Sequence, residues 1–425
     1  MRLRSITRIA QSFGVAVVDQ VALSGANFLV GLLLIRKTSD VDYGSYVLAQ
    51  SAISLLIAAQ GAWLYGPLAV VALRQTSERR KEMIGALQVS QSRFLRRGAL
   101  PLLLIPPLLV VFGVQKTLLG VVTAVTILAG WAALQREYLR GTLLIYRRPH
   151  ALFRADLVYV AVLITGALIA AFGPKPAAIT AVSALALAAF AGGRAAYAQI
   201  KADPGWAAPV DAAPFWLEIR TLGIWSSVGA IIYWIFAQSY NYVLATRFDL
   251  GAVAAINAVR LLSSPIIMLT AGTTNLLLPS SSAWLAERGL APMLRRLMLS
   301  LIGISALDFV YFGVVWHFKD WLTADVLHKV IADRDRLLIL WFGVAIVGLA
   351  RDILQCALLA LRSHKSMAWL IGVSATLSLS IMWYGLDKWG PAAALIGQIV
   401  GELVNLAGLV VLLRMQIRAG RALTA

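Results

Sequence analysis

Apolar stretches long enough to cross a lipid bilayer recur along the whole chain, and no other feature constrains its fold as much. A helix needs about 20 largely apolar residues to cross about 30 Å of hydrocarbon. Such stretches are expected at 15–35, 43–71, 98–114, 117–146, 152–172, 177–198, 222–246, 252–278, 297–317, 336–361, 367–386 and 391–413. The third is short and interrupted by Pro101, Pro106 and Pro107, which membrane helices tolerate better than soluble ones do. Of the 425 residues, 60% are hydrophobic and 14% charged, against roughly 45–50% and about 25% in soluble domains. Polar residues this scarce cannot cover a water-exposed surface. The expected fold is therefore an all-α integral membrane protein with about twelve transmembrane helices.

The basic residues test that count. With a cytoplasmic N-terminus and alternating segments, over two thirds of the 38 Lys and Arg fall at cytoplasmic ends, as the positive-inside rule requires. One helix more or fewer would invert the sides downstream and spoil the asymmetry. Both termini are then expected in the cytoplasm. Basic loops also account for the net charge of +18, so nucleic acid is not an expected partner. Arg2, Arg4 and Arg8 ahead of an apolar run look like the start of a signal peptide, but no small-residue cleavage pattern follows, and the run reads as a retained helix. Cys356 stands alone, and His150, His317, His328 and His364 show no metal-binding spacing. Neither a metal nor another cofactor is expected.

The sequence repeats internally. Arg136-Glu137-Tyr138-Leu139-Arg140 and Leu143-Leu144-Ile145-Tyr146-Arg147 return as Arg351-Asp352-Ile353-Leu354-Gln355 and Leu358-Leu359-Ala360-Leu361-Arg362. At a nearly equal spacing, Gln50, Ser54 and Gly61 align with Arg260, Ser264 and Ala271, and both stretches close near a proline, Pro67 and Pro279. A duplicated six-helix unit follows. Six is even, so both copies enter the membrane in one orientation, which predicts two parallel six-helix repeats around a central cleft. The stretch Lys201–Pro214, with Asp203-Pro204-Gly205, reads as the linker between an N-terminal lobe, 1–202, and a C-terminal lobe, 203–425.

Helical projection groups the polar residues of several segments. Asn257, Arg260, Ser264 and Asn275 fall within about 60° of arc, and Tyr46, Gln50 and Ser54 within about 80°. Ser24 and Asn27 share one face of the first segment, and Gln238 and Asn241 one face of the seventh. A charge at the centre of a membrane helix costs roughly 2.5–3.5 kcal/mol, so such stripes line a hydrated cavity or join helices through hydrogen bonds. Their recurrence in repeat-related pairs favours a cavity. Arg260 is then its preferred ligand residue, a fork donor suited to phosphate or an acidic sugar; snorkelling to the interface is the competing reading. Gln398, Glu402 and Asn405, beside Gly397 and Gly401, read as helix packing. Arg136–Glu137 and Arg351–Asp352 read as interhelical ion pairs. The basic cluster Arg79, Arg80, Lys81, Arg93, Arg96 and Arg97 reads as a topology signal in contact with anionic headgroups.

Ser24-Gly25-Ala26-Asn27-Phe28-Leu29, then Asp42-Tyr43-Gly44-Ser45-Tyr46, and Leu277 to Pro279 at the end of the eighth segment resemble bacterial polysaccharide-lipid flippases. These form the polysaccharide transport branch of the multidrug/oligosaccharidyl-lipid/polysaccharide exporter superfamily. The resemblance implies alternating-access movement of a polyprenyl-pyrophosphate-linked oligosaccharide across the bacterial inner membrane, with Arg260 in a cationic cavity and the stripes on the sugar. Membrane lipids and assembly proteins such as a polysaccharide polymerase are the implied partners, with proton or sodium coupling left open. The two extra C-terminal helices typical of lipid II flippases are lacking, which turns the expectation away from peptidoglycan precursors. Two alternatives remain. A cation-coupled multidrug exporter of the same superfamily would use an intramembrane carboxylate, Asp19 or Asp308. A membrane enzyme would need a long arginine-bearing outer loop or an intramembrane histidine, and the sequence offers neither.

Overall fold

In hydrocarbon a backbone must satisfy its own polar groups, and helices do so within one segment. The computed structural model describes residues 2–72, 75–113, 116–146, 148–201, 211–361 and 363–418, and these form helices with no strand among them. In chain order we label α1 (Arg2–Lys37), α2 (Asp40–Ala72), α3 (Ser77–Leu102 continued by Ile105–Val111), α4 (Thr117–Ile145), α5 (Pro149–Phe172) and α6 (Ala177–Lys201). There follow α7 (Ala213–Arg247), α8 (Leu250–Arg288), α9 (Leu290–His317), α10 (Arg334–Ala360), α11 (His364–Trp389) and α12 (Ala392–Arg418). Among the described residues, 10 helices are long and apolar enough to cross a membrane, or 11 when α7, bent by 43° between Ala213–Ile224 and Ser226–Arg247, is counted.

The expected segment 98–114 takes a different form. Its residues divide between the end of a basic amphipathic helix and the seven-residue piece Ile105–Val111. Pro106 and Pro107 open that piece; proline has no N–H to offer the preceding turn, so the helical hydrogen bonds are interrupted ahead of them.

The chain divides into two compact units, Met1–Ile231 and Ile232–Ala425, passing from one to the other within α7. The expected lobe boundary after residue 202 lies outside the described residues. In the first unit, Leu64 and Leu68 of α2 pack with Met83 and Leu87 of α3 and with Phe215 and Ile219 of α7. Within α2 the turn Gly61–Tyr65 widens to a π-helix, a form that often marks a functional bend. In the second unit, Leu277 and Leu285 of α8 meet Leu297 and Ile304 of α9 and Leu349 and Ile353 of α10.

Polar residues fix the helix ends in both units. Ser39 Oγ accepts the Asp42 N–H at 3.1 Å and donates to Asp42 Oδ2 at 2.7 Å. The other carboxylate oxygen of Asp42 accepts the Ala178 N–H at 2.9 Å, tying the start of α2 to the start of α6. At the corresponding start of α8, Asp249 Oδ1 accepts the Ala252 N–H at 2.8 Å. Such caps satisfy donors that the first helical turn leaves open. The loop after α9 is equally determined: Arg334 pairs with Asp320 at 2.7 Å and Asp335 at 3.0 Å, and donates to Thr323 Oγ1 at 2.9 Å.

Candidate functional site

In the second unit, α7 and α8 bring four of the expected site residues into one network. Asn257 Nδ2 donates to Asn241 Oδ1 at 2.7 Å and to the Val253 carbonyl at 2.9 Å. Asn241 Nδ2 in turn donates to Gln238 Oε1 at 3.1 Å. Tyr240 Oη donates to Asn257 Oδ1 at 3.2 Å and accepts from Arg260 Nη1 at 3.3 Å. Asn241 and Asn257 are buried, so these amides join the two helices as interhelical hydrogen bonds. Ser264 Oγ turns back to the Arg260 carbonyl at 3.3 Å. The side chain of Asn275 lies outside the described residues.

Arg260 differs from its neighbours. Its guanidinium is half-buried and lies 5.6 Å from the centre of the Trp341 ring on α10. Trp341 is held by its own Nε1–H to the Ile256 carbonyl at 3.1 Å and meets Tyr240 edge-on at 5.9 Å. Tyr240 and Trp341 therefore fix the arginine from two sides. No carboxylate among the described residues reaches Arg260, and of the five N–H donors of a guanidinium only the bond to Tyr240 is made. An aromatic face steadies such a cation without neutralising it.

In the first unit the α1 and α2 residues are less engaged. Asn27 and Gln50 are half-buried and form no hydrogen bond among the described residues. Tyr46 is buried with its hydroxyl unpartnered. Ser24 accepts from Gln20 of its own helix at 3.2 Å, and Ser54 donates to the Ser51 carbonyl at 2.7 Å. Neither of these hydrogen bonds joins α1 to α2.

Sequence reasoning missed the partners of the two repeat-related arginines. Arg136 bonds Glu137 at 2.7 Å, ion-pairs with Asp156 of α5, and lies 3.8 Å from the centre of the Tyr159 ring. Arg140 bridges Asp156 at 2.8 Å and Asp19 of α1 at 3.0 Å. Three helices are thus locked by one buried cluster. In the second unit Arg351 bonds Asp352 at 2.7 Å, ion-pairs with Glu402 of α12, and lies 5.6 Å from the Tyr233 ring. Asp19 Oδ1 and Glu402 Oε2 are buried without a hydrogen-bond partner, as are both carboxylate oxygens of Asp308 on α9. Each cluster holds one more carboxylate than arginine: Asp19, Glu137 and Asp156 against Arg136 and Arg140, and Asp352 and Glu402 against Arg351. Asp156 and Glu402 sit on other helices, and no local spacing signals those contacts.

No protein-family model and no curated protein matches the chain. Solved structures do. The chain is similar to an inward-facing multidrug resistance MATE family transporter of the MOP superfamily, with 14% identity and a TM-score of 0.71 over 94% of this chain and 95% of that one. It is similar to the lipid II flippase MurJ in an inward closed conformation, with 10% identity and a TM-score of 0.74 over 94% and 87%. A eukaryotic MATE transporter, AtDTX14, matches with 12% identity and a TM-score of 0.65 over 98% of both chains. At these identities the likeness shows a fold shared with those transporters and that flippase.

Proposed function

We propose that this chain moves a polyprenyl-pyrophosphate-linked oligosaccharide across the bacterial cytoplasmic membrane by alternating access, with both termini on the cytoplasmic side. The observation that carries the reading is Arg260, held by Tyr240 and Trp341 and left without a carboxylate. An unneutralised guanidinium within a membrane-spanning helix is costly unless something supplies its counter-charge. Pyrophosphate meets that need in the bidentate geometry that arginine favours. Within the first unit, the unpaired amides of Asn27 and Gln50 are suited to sugar hydroxyls. A proton or sodium ion serves as the coupling ion in this reading, balancing the excess carboxylate of each cluster. A polysaccharide polymerase or another assembly protein is the expected partner.

A second reading, a cation-coupled multidrug exporter, draws on Asp308, whose buried carboxylate has no partner and could meet a cation. One experiment separates the two. In a strain deleted for the gene, the flippase reading expects lipid-linked oligosaccharide to build up on the cytoplasmic leaflet and surface polysaccharide to disappear. Unchanged glycan with raised sensitivity to cationic drugs moves the protein to the exporter reading.

A further inference from the structure

We propose that a groove on the first unit, between α3, α4 and α6, holds the headgroup of an anionic phospholipid. The groove has a volume of about 470 Å³, inside the roughly 300–1,000 Å³ range of small-molecule sites. Arg96 of α3 and Arg194 of α6 both line it, and no acidic residue does. Neither arginine has a carboxylate within ion-pair distance among the described residues; Arg96 makes one bond, from Nε to the Ser92 carbonyl at 3.3 Å. Two uncompensated guanidinium groups around one concavity call for an anion.

The remaining lining says what kind of anion. Trp131 Nε1 is buried and unpartnered, and Gln135 accepts from Ser92 Oγ at 2.9 Å, which leaves its amide N–H groups free to donate. Beside these donors stand Val89 and Phe190, exposed on the flank of the helices, with Leu187 and Leu128 exposed nearby. A soluble anion gains nothing from that apolar wall. A phospholipid brings phosphate and acyl chain together and covers both. The floor adds a consequence: a Cβ on Gly193 would lie 3.5 Å from Arg136 Cα. At Gly193 α6 therefore packs closely on α4, and a lipid seated in the groove covers the seam between these two helices. This site is independent of the flippase reading.

The test uses full-length protein in nanodiscs of equal phosphatidylglycerol and phosphatidylcholine, with retained lipid read by native mass spectrometry. Phosphatidylglycerol is expected to be retained over phosphatidylcholine. At about one headgroup contact per arginine, the double variant Arg96→Gln, Arg194→Gln should weaken that retention about tenfold to thirtyfold. Trp131→Phe should weaken it about threefold, and Arg295→Gln on α9 should leave it unchanged. Equal retention of the two lipids, or unchanged retention in the double variant, overturns the proposal. Displacement of the lipid by excess inorganic phosphate also overturns it, because the site would then serve a free anion. Should the double variant not fold, a photoreactive phosphatidylglycerol on the wild-type protein decides: crosslinks within 88–97 and 131–139 support the site, and crosslinks confined elsewhere refute it.

Discussion

Arg136 and Arg260 carry the same group into membrane-spanning helices and are treated in opposite ways. Arg136 is buried between Glu137, Asp156 and Tyr159, whereas Arg260 meets a phenol and an indole. Arg260→Ala therefore strands no opposite charge. On the flippase reading, export of the glycan should be lost while membrane level and melting temperature stay near wild type; normal surface polysaccharide in this variant would remove Arg260 from the site. Arg136→Ala leaves Asp156 and Glu137 short of counter-charge inside the protein, which costs about 3–5 kcal/mol. A thermal melt should show that loss, and Arg136→Met combined with Asp156→Leu should recover part of it. The α8 stripe was legible because one helical period carries Asn257, Arg260 and Ser264. Tyr240 and Trp341 were not, because aromatic residues in apolar segments read as core until a neighbouring helix shows what their polar atoms touch.

Close helix approach is the corresponding theme among the elements. A Cβ on Gly397 would sit 2.6 Å from the Ser378 carbonyl oxygen, and one on Gly401 would sit 2.5 Å from Phe236 Cε2 and 2.8 Å from Ser378 Cβ. The Gly-x-x-x-Gly face of α12 thus packs on α11, as its spacing suggests. Gly401→Leu should force the pair apart and destabilise the protein by about 1–3 kcal/mol or more, read as a lower melting temperature in detergent. Gly401→Ala should be milder, and equal melting of all three proteins would contradict this packing. Helix type was legible throughout, because the apolar runs are long. The extent of the helices was not: α8 continues to Arg288 and α9 begins at Leu290, since polar residues beyond the lipid add turns that hydropathy does not register.

At the scale of the whole molecule, the two units hold unequal copies of one device. The duplicated motif puts Arg136 and Arg351 at matching places, each beside an acid and a tyrosine. Only the first copy has a second arginine, Arg140, which reaches α1 through Asp19; Gln355 stands at the matching place in the second. Arg140→Gln should release α1 while leaving Arg136 with Asp156. Faster amide hydrogen exchange in α1 than in α5 is the expected signature, and equal change in both would refute the separate tie. The break in α3 bears on how the chain is made. Ile105–Val111 is seven residues long, far below the roughly 20 that a segment needs to leave the translocon alone. The apolar end of α3 is therefore expected to enter the membrane together with α4, as a hairpin. A fragment of residues 75–111, without α1 and α2, should be extractable by alkaline carbonate, whereas one of residues 75–146 should not. Proline at the opening of a helix thus sets an order of events in time.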